Sequence, residues 1–271
     1  MDKRKILLVA SLVFVPVSAT ARAVMQEPQL TIEQMKEFLL TAKVVKSGSA
    51  PKGTTGVSRL VLTDGKLTHD AAFQSIEESK LEFQGRGGTK ELNFRDSYKF
   101  NVAAYELATM LGIGDMMPVT VVRKVQGKTG SLSWWLPSKM DEETRLKRKI
   151  PAPDVESWNN QMYKMRVFTE LVYDTDRNLG NVLISDDWHL WMIDFTRAFR
   201  RYYDLRSPQN LVRCDRRLLE NLRKLDEGEL RARTKGLLIE PEIKGVMVRR
   251  DKIVRFFEDL IARKGENEVL Y

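Results

Sequence analysis

The chain of 271 residues is long enough for one large domain or for two lobes that each bury a core. Hydrophobic residues make up 42% and charged residues 30%, which excludes a disordered or fibrous chain. The formal charge of +8 permits an anionic partner, whereas one cysteine and two histidines exclude an intrachain disulfide and a metal site built from clustered Cys or His.

The N-terminus has the pattern of a Sec-type signal peptide. Residues 3–5 are basic, residues 6–17 are apolar, and Ala21-Arg22-Ala23 is the small-x-small pattern that signal peptidase cuts. The apolar run is too short for a comfortable transmembrane helix. We therefore expect cleavage after Ala23, export to the periplasm or the extracellular space, and no stable transmembrane segment afterwards. An uncleaved N-terminal membrane anchor is the alternative.

The charge of the remaining chain does not favour nucleic-acid binding. Without residues 1–23, 41 basic residues stand against 36 acidic ones, a net charge of +5. The basic residues are spread along the chain and do not form one block with interleaved aromatics, the usual pattern of a nucleic-acid surface.

Residues 42–136 have mainly strand and turn patterns. Alternating residues 58–62, a turn at Asp64-Gly65 and a return over 67–76 predict an antiparallel hairpin. A second hairpin is predicted between 119–125 and 130–136, where the strands are β-branched and Trp-rich.

One amphipathic helix is predicted between these two hairpins. Ala104, Ala108 and Leu111 recur at helical spacing, and the same face extended backwards contains Asn101. Glycines after Leu111 end the helix. The first half is therefore predicted to be a small antiparallel sheet with one helix packed on it.

The second half is mainly helical. Residues 138–153, basic and flanked by prolines, are interpreted as a solvated linker. Apolar residues at helical spacing then predict helices over 158–172, 218–225 and 253–261. The predicted class is α+β and bilobal. Its parts are a signal peptide (1–23), a β-rich N-lobe with one helix (24–137) and a mainly helical C-lobe (138–271).

The segment 174–199 contains the most informative pattern in the chain. Two apolar strands, 182–184 and 190–193, are joined by Asp186-Asp187, which is sufficient for a tight hairpin. A two-residue turn would pair Asn181 with Met192.

This pairing predicts a cluster of oxygen ligands. Asn181 and Asp194 would emerge on one face at the open end of the hairpin, and Asp176 in the preceding loop could lie over the same point. A hard cation such as Mg²⁺ takes oxygen ligands and keeps part of its coordination for substrate phosphates. We expect Asn181 and Asp194 to be metal ligands, Asp176 to orient or deprotonate a hydroxyl nucleophile, and Arg177 to neutralise charge on the transferred group.

The stretches DRNLGNVLI and WMIDFTRAF resemble the catalytic loop and metal-binding motif of kinases. They are most similar to the atypical kinases of the phosphatidylinositol 3-/4-kinase-like group, whose relatives include the HipA-type kinases and the secretory-pathway Golgi casein kinases. NVAAYELATMLGIGDMMPVTVV resembles the first-lobe helix and following strand of that group. The resemblance covers about residues 50–200 and implies a bilobal kinase-like fold that binds ATP with Mg²⁺ or Mn²⁺.

The resemblance also implies roles for individual residues. It makes Asp176 the catalytic aspartate, with Asn181 and Asp194 as metal ligands. It places Trp134, Trp135 and Leu136 in a hinge strand that contacts adenine.

The chain departs from the kinase pattern where phosphates are held. A kinase first lobe pairs a strand Lys with a helix Glu, and the resemblance puts Gln74 and Asn101 at these two positions. Two neutral amides can still hydrogen-bond to each other, but the cation on the phosphates is lost. The phosphate loop is reduced to the G-x-x-G of Gly53 and Gly56, with the glycine-rich turn over 85–88 as an alternative.

The sequence thus predicts an exported kinase-like phosphotransferase that uses ATP and a divalent metal to phosphorylate a hydroxyl on a protein, sugar or lipid. The missing Lys and Glu favour an alternative, a pseudokinase that binds a ligand or acts as a scaffold. The altered phosphate grip also permits nucleotidyl transfer on the same fold. A basic anion-binding protein unrelated to kinases is the third alternative.

Overall fold

The structure, a computed structural model, describes residues 30–49, 56–84 and 90–271. The predicted signal peptide, Gly53 and the alternative turn over 85–88 lie outside these ranges, so those predictions stay predictions. Residues Thr31–Tyr271 form one compact unit. Within the described residues, no helix combines the length and the apolar character needed to cross a membrane.

Ten strands and eight α-helices make up the described chain. The strands are β1 (Lys43–Ser49), β2 (Val57–Thr63), β3 (Thr68–Gln74), β4 (Glu77–Gln84), β5 (Lys90–Ser97), β6 (Thr120–Val125), β7 (Lys128–Trp134), β8 (Met140–Asp141), β9 (Val182–Ile184) and β10 (Leu190–Met192). The helices are α1 (Ile32–Thr41), α2 (Tyr98–Met110), α3 (Glu142–Lys147), α4 (Val155–Val172), α5 (Arg216–Lys224), α6 (Glu227–Arg233), α7 (Glu240–Lys264) and α8 (Glu266–Val269).

A five-stranded antiparallel sheet with the strand order β1-β2-β3-β7-β6 forms the N-lobe. Both predicted hairpins, β2–β3 and β6–β7, are present in it. The β2–β3 turn is closed by Asp64, whose Oδ1 accepts from the N–H groups of Lys66 (2.8 Å) and Leu67 (2.7 Å), and Gly65 takes a left-handed φ of +92° that favours glycine. The α+β class with an antiparallel sheet in the N-lobe and a helical C-terminal region is confirmed.

Two helices, where the sequence predicted one, pack on this sheet. The predicted helix is α2, whose N-terminus is capped by Ser97 and which ends where Gly112 adopts a φ of +73°. The additional helix, α1, begins with a reciprocal capping box between Thr31 and Gln34 and packs against β6 and β7. Arg123 of β6 fastens it by donating to two carbonyl groups near the end of α1.

An antiparallel pair, β4–β5, is inserted between β3 and α2. Most of its side chains are exposed, and a stacked pair, Phe83 and Phe94, marks its more buried face. At its base the Ser97 N–H donates to the Thr196 carbonyl at 2.8 Å, and Arg95 pairs with Glu242 of α7. The insertion therefore joins the N-lobe to the C-lobe directly.

The segment 138–153 is structured, so its interpretation as a solvated linker was wrong. Its strand β8 pairs with β9, with Met140 opposite Ile184, and α3 follows at once. The Asp141 carboxylate caps α3 by accepting from the Thr144 N–H at 2.7 Å. The basic composition of this segment did not reveal the helix, because a short basic helix and a solvated linker have similar compositions.

The C-lobe is built around the packing of α4 against α7. Arg249 of α7 is fully buried and donates to the Leu171 carbonyl at 2.8 Å, the Arg200 carbonyl at 2.9 Å and the Tyr202 carbonyl. These bonds fix the end of α4 and the chain after residue 199, the two segments between which the predicted catalytic residues lie.

Candidate active site

A cleft of about 510 Å³ lies between the sheet and the C-lobe. Its N-lobe wall includes Gln74, Asn101 and Ser133, and its C-lobe wall includes Asn181 and Asp194. This size lies within the range of small-molecule sites. With the predicted hinge residues Trp134, Trp135 and Leu136, which also line it, seven of the predicted site residues meet in one cavity.

The hairpin that carries the predicted ligands has a different register from the one expected. Val182, not Asn181, pairs with Met192, because the loop contains three residues and Trp188 adopts a left-handed φ of +64°. The Ile193 N–H consequently donates to the Asn181 carbonyl at 3.1 Å. The predicted pairing of Asn181 with Met192 was wrong by one residue.

Asp194 still faces the cleft because its backbone leaves the strand. Its φ of +58° is unusual for a residue with a side chain and is the kind of strain found at functional sites. Its Oδ1 accepts from Thr196 Oγ1 at 3.1 Å and from Gln74 Nε2 at 3.4 Å. Burial raises the pKa of the Asp194 carboxyl, while the Gln74 hydrogen bond and the charge of Arg177 lower it.

The two amides that replace the kinase ion pair are hydrogen-bonded to each other. Asn101 Nδ2 donates to Gln74 Oε1 at 2.6 Å and to Ser131 Oγ at 3.1 Å, and Asn101 Oδ1 accepts from the Phe195 N–H at 2.7 Å. Helix α2, strands β3 and β7 and the segment after Asp194 are thereby connected by neutral groups. Because Gln74 donates to Asp194, its amide holds that carboxylate in place.

Arg177 does not occupy the position expected of it. Its side chain is 6% exposed, lies 4.1 Å from the Phe195 ring centroid and forms an ion pair with the buried Asp174 at 2.7 Å. Its guanidinium donates to the carbonyls of Asn181 (3.0 Å), Ile193 (2.6 Å) and Asp194 (3.2 Å). With its N–H groups so engaged, Arg177 fastens the loop to the hairpin and is not placed to neutralise a transferred group, contrary to the expectation from sequence.

Asp176 does not line the cleft, although its carbonyl is bonded to Asn181, which does, and its side chain is half exposed. Its carboxylate is 3.7 Å from Nη1 of Arg197, and Nη2 of Arg197 donates to Glu91 of β5 at 3.2 Å. Arg197 also lies over the Phe94 ring, 5.1 Å from its centroid. Arg197 was not among the predicted site residues, although it lies in the WMIDFTRAF motif, because its partner Glu91 is about 100 residues away in the chain.

The predicted hinge residues border the cleft, but their rings have other partners. Trp134 is buried, stacked on His69 at 3.8 Å, and the Trp135 ring lies 4.4 Å from the Arg59 guanidinium. Leu136, just beyond the end of β7, also lines the cleft. Both indole rings are therefore already packed against other side chains.

The predicted phosphate loop joins β1 to β2. Gly56, the residue before β2, has a φ of +108°, and its neighbour Val57 lines the cleft. Its predicted partner Gly53 is outside the described ranges. The role of this loop at a phosphate therefore stays a prediction.

A divalent cation fits Asn181 and Asp194 only with help from a ligand. Among the described residues, no group of three or more His, Cys, Asp or Glu side chains is placed to hold a metal. Asn181 Nδ2 donates to the Asp176 carbonyl at 3.1 Å, and its amide oxygen has no hydrogen-bond partner among the described residues. Both hydrogen bonds to the Asp194 carboxylate use Oδ1. One carboxylate and one amide oxygen suit a hard cation that completes its coordination with phosphate oxygens and water.

The sheet-containing N-lobe, the helical C-terminal region and the cleft between them are those of an atypical kinase-like fold. No protein-family model and no curated protein matches the sequence. Solved structures do match. A hydra Fam20 structure determined with sugar has a TM-score of 0.65 at 14% identity, over 89% of this chain and 92% of that chain.

Two structures of the Golgi casein kinase are similar as well. One has a TM-score of 0.59, and the other, with Mn and ADP bound, has a TM-score of 0.63; both are 12% identical over 88% of this chain and 78% of theirs. At such identities the likeness establishes the fold. The resemblance to atypical kinases inferred from sequence is confirmed at that level.

Proposed function

We propose that the protein is a phosphotransferase that binds ATP with Mg²⁺ or Mn²⁺ and phosphorylates a hydroxyl-bearing acceptor. One observation carries the proposal. Asn181 and Asp194 line the same cleft as Leu136, and Asn181 Nδ2 donates to the carbonyl of Asp176 at 3.1 Å. The similarity to a casein kinase structure with Mn and ADP bound supports the same assignment.

In this proposal the chain positions the reactants more than it reacts with them. The backbone around Leu136 binds adenine, and Asn181 and Asp194 hold the cation, which would neutralise charge on the phosphates. Asp176 accepts the proton of the acceptor hydroxyl while the hydroxyl oxygen bonds to the γ-phosphorus of ATP. The bond between the γ-phosphorus and the bridging oxygen breaks, and this oxygen leaves with ADP. Arg197 orients the Asp176 carboxylate for this transfer.

A pseudokinase is the second candidate, and the hydrogen bond from Gln74 to Asp194 favours it. In this arrangement Gln74 brings no positive charge to the phosphates, and Asn101 brings no negative charge to hold one. The cleft would then bind nucleotide without turnover.

Nucleotidyl transfer is a further alternative on the same fold. It requires an intact metal site, as phosphoryl transfer does, but it labels the acceptor from the α-phosphate of ATP and not from the γ-phosphate.

Labelled ATP distinguishes these functions. We would incubate the purified protein with ATP labelled at the γ- or α-phosphate, with Mg²⁺ or Mn²⁺, and follow label in the protein and in candidate hydroxyl acceptors. Transfer from the γ-phosphate only supports the proposal, and transfer from the α-phosphate supports nucleotidyl transfer. A metal-dependent thermal shift with ATP but no transfer supports the pseudokinase.

Matched aspartate variants test the site within the same assay. Asp194→Asn should abolish the metal-dependent thermal shift, and Asp176→Asn should preserve that shift but abolish transfer. Asp186→Asn, in the exposed hairpin loop, should change neither. If Asp194→Asn keeps the metal-dependent shift, the site assignment is wrong.

We propose further that the protein is exported, as its basic N-terminus, apolar run and Ala21-Arg22-Ala23 support. Mass spectrometry of the mature protein should then find Val24 as its first residue. A mature chain that retains residues 1–23 would support the uncleaved membrane anchor.

A further inference from the structure

The cleft contains two unpaired basic side chains on the segment after the hinge. Among the described residues that line it, the basic ones are Lys139 and Arg148, and the acidic ones are Asp141 and Asp194. Lys139 and Arg148 are exposed, and neither side chain has a hydrogen-bond or ion-pair partner in the described part of the chain.

Two of the three other basic residues on the same segment are neutralised, and the third, Lys149, is exposed but does not line the cleft. Arg145 pairs with Glu142 at 2.5 Å, and Lys147 pairs with Glu143 at 2.6 Å. The charges of the segment are therefore not uniformly solvated. Two are cancelled within α3, and Lys139 and Arg148 leave positive charge at the cleft.

Lys139 and Arg148 lie between the residues expected to contact adenine and those expected to hold the metal. Lys139 lies three residues after Leu136, and its backbone N–H is fixed by the Ile184 carbonyl at 2.8 Å. Arg148 ends α3, which packs against the turn Leu179–Asn181. The pair thus lies beside the route from the hinge to Asn181.

The other polar residues around the expected phosphate position supply no positive charge. Gln74 and Asn101 are neutral and bonded to each other, and Asp194 adds a negative charge. A polyphosphate entering between neutral amides and a carboxylate is repelled unless cations face it.

We propose that Lys139 and Arg148 form a phosphate subsite of this cleft, which takes over the charge that Gln74 cannot supply. The inference rests on the proposed function in taking the nucleotide's polyphosphate as the ligand. A phosphate group on the acceptor has the same chemistry, and the test separates the two sources.

The experiment measures binding by calorimetry with three probes in the same Mg²⁺ buffer: ATP, adenosine and inorganic tripolyphosphate. The test variant is Lys139→Ala with Arg148→Ala. The matched control is Lys147→Ala with Lys149→Ala, which removes the same charge from the same segment, and neither control residue lines the cleft. We expect the test variant to bind ATP and tripolyphosphate about tenfold or more weakly with adenosine unchanged, and the control to match the wild type.

Each remaining result has a defined meaning. Loss of tripolyphosphate binding with unchanged ATP binding would overturn the nucleotide assignment and move the subsite to a phosphorylated acceptor. If the wild type binds tripolyphosphate through these residues but does not bind ATP, the proposed function fails and the subsite stands. If the test variant and the control bind both ATP and tripolyphosphate with the same affinity, the subsite is refuted.

Discussion

Replacing Asn101 by leucine should destabilise the protein strongly, because this side chain connects three elements. It is 6% exposed and makes three hydrogen bonds, to Gln74, Ser131 and the Phe195 N–H. At about 1 kcal/mol for each bond, the loss is about 3 kcal/mol. The orphaned Phe195 N–H adds about 1–2 kcal/mol, and the added apolar burial returns about 1–1.5 kcal/mol. The expected net loss is about 3 kcal/mol.

Urea unfolding followed by tryptophan fluorescence and by circular dichroism measures this loss. With an m-value of about 3 kcal/mol/M, the midpoint should fall by about 1 M. The matched control is Asn159→Leu, the same chemical change at an exposed position of α4. A loss below about 1 kcal/mol, or one equal to that of the control, would refute the reasoning.

A double-mutant cycle then isolates the amide pair. Gln74→Leu removes the same 2.6 Å bond from its other end, so the two substitutions should be non-additive by about 1 kcal/mol. Strict additivity would show that the contact contributes nothing to stability.

Three further substitutions and modifications test other parts of the structure. Arg197→Ala should lower kcat about tenfold with little change in the KM for ATP, and Arg197→Lys should restore part of it; an unchanged kcat in steady-state assays would exclude the positioning of Asp176. Arg249→Met should cost about 3–5 kcal/mol in urea unfolding because three carbonyl groups lose a buried donor, and a loss below about 1 kcal/mol would contradict this. Burial raises the pKa of the Cys214 thiol to about 12, so the native protein should resist iodoacetamide at pH 8. Stability should fall as the pH rises from about 8.5, where the unfolded thiol ionises, towards that value. Native alkylation as fast as in urea would contradict the buried thiol.

The parts of the fold that could be predicted have local signals. The β2–β3 hairpin follows from alternating residues on either side of Asp64-Gly65, where the turn chemistry fixes the register. The expected hydrogen bond between Gln74 and Asn101 is also present, since the resemblance supplied the positions and amide chemistry supplied the bond. Short-range pattern and a motif were sufficient in both cases.

The parts that were missed depend on contacts distant in sequence or on rare backbone conformations. The register of β9–β10 depends on Trp188, whose φ is +64°. Such a backbone conformation is rare for a tryptophan and cannot be predicted from the type of residue. The β4–β5 pair has mostly exposed side chains, so it lacks the apolar alternation that marks a half-buried strand. Helix α1 did have a readable signal, the Thr31 and Gln34 capping box before an apolar face.

The neutral pair and the strained aspartate together define how this cleft differs from one built on a Lys–Glu ion pair. A lysine beside Asp194 would compete with a metal for the carboxylate, whereas the Gln74 amide holds the carboxylate by a hydrogen bond and adds no positive charge to it. Burial already disfavours that charge, so a cation at Asp194 gains more than it would in a solvated site. Because Gln74 and Asn101 bring no positive charge to the cleft, an anionic ligand needs other positive partners in addition to a metal, and Lys139 and Arg148 line the same cavity.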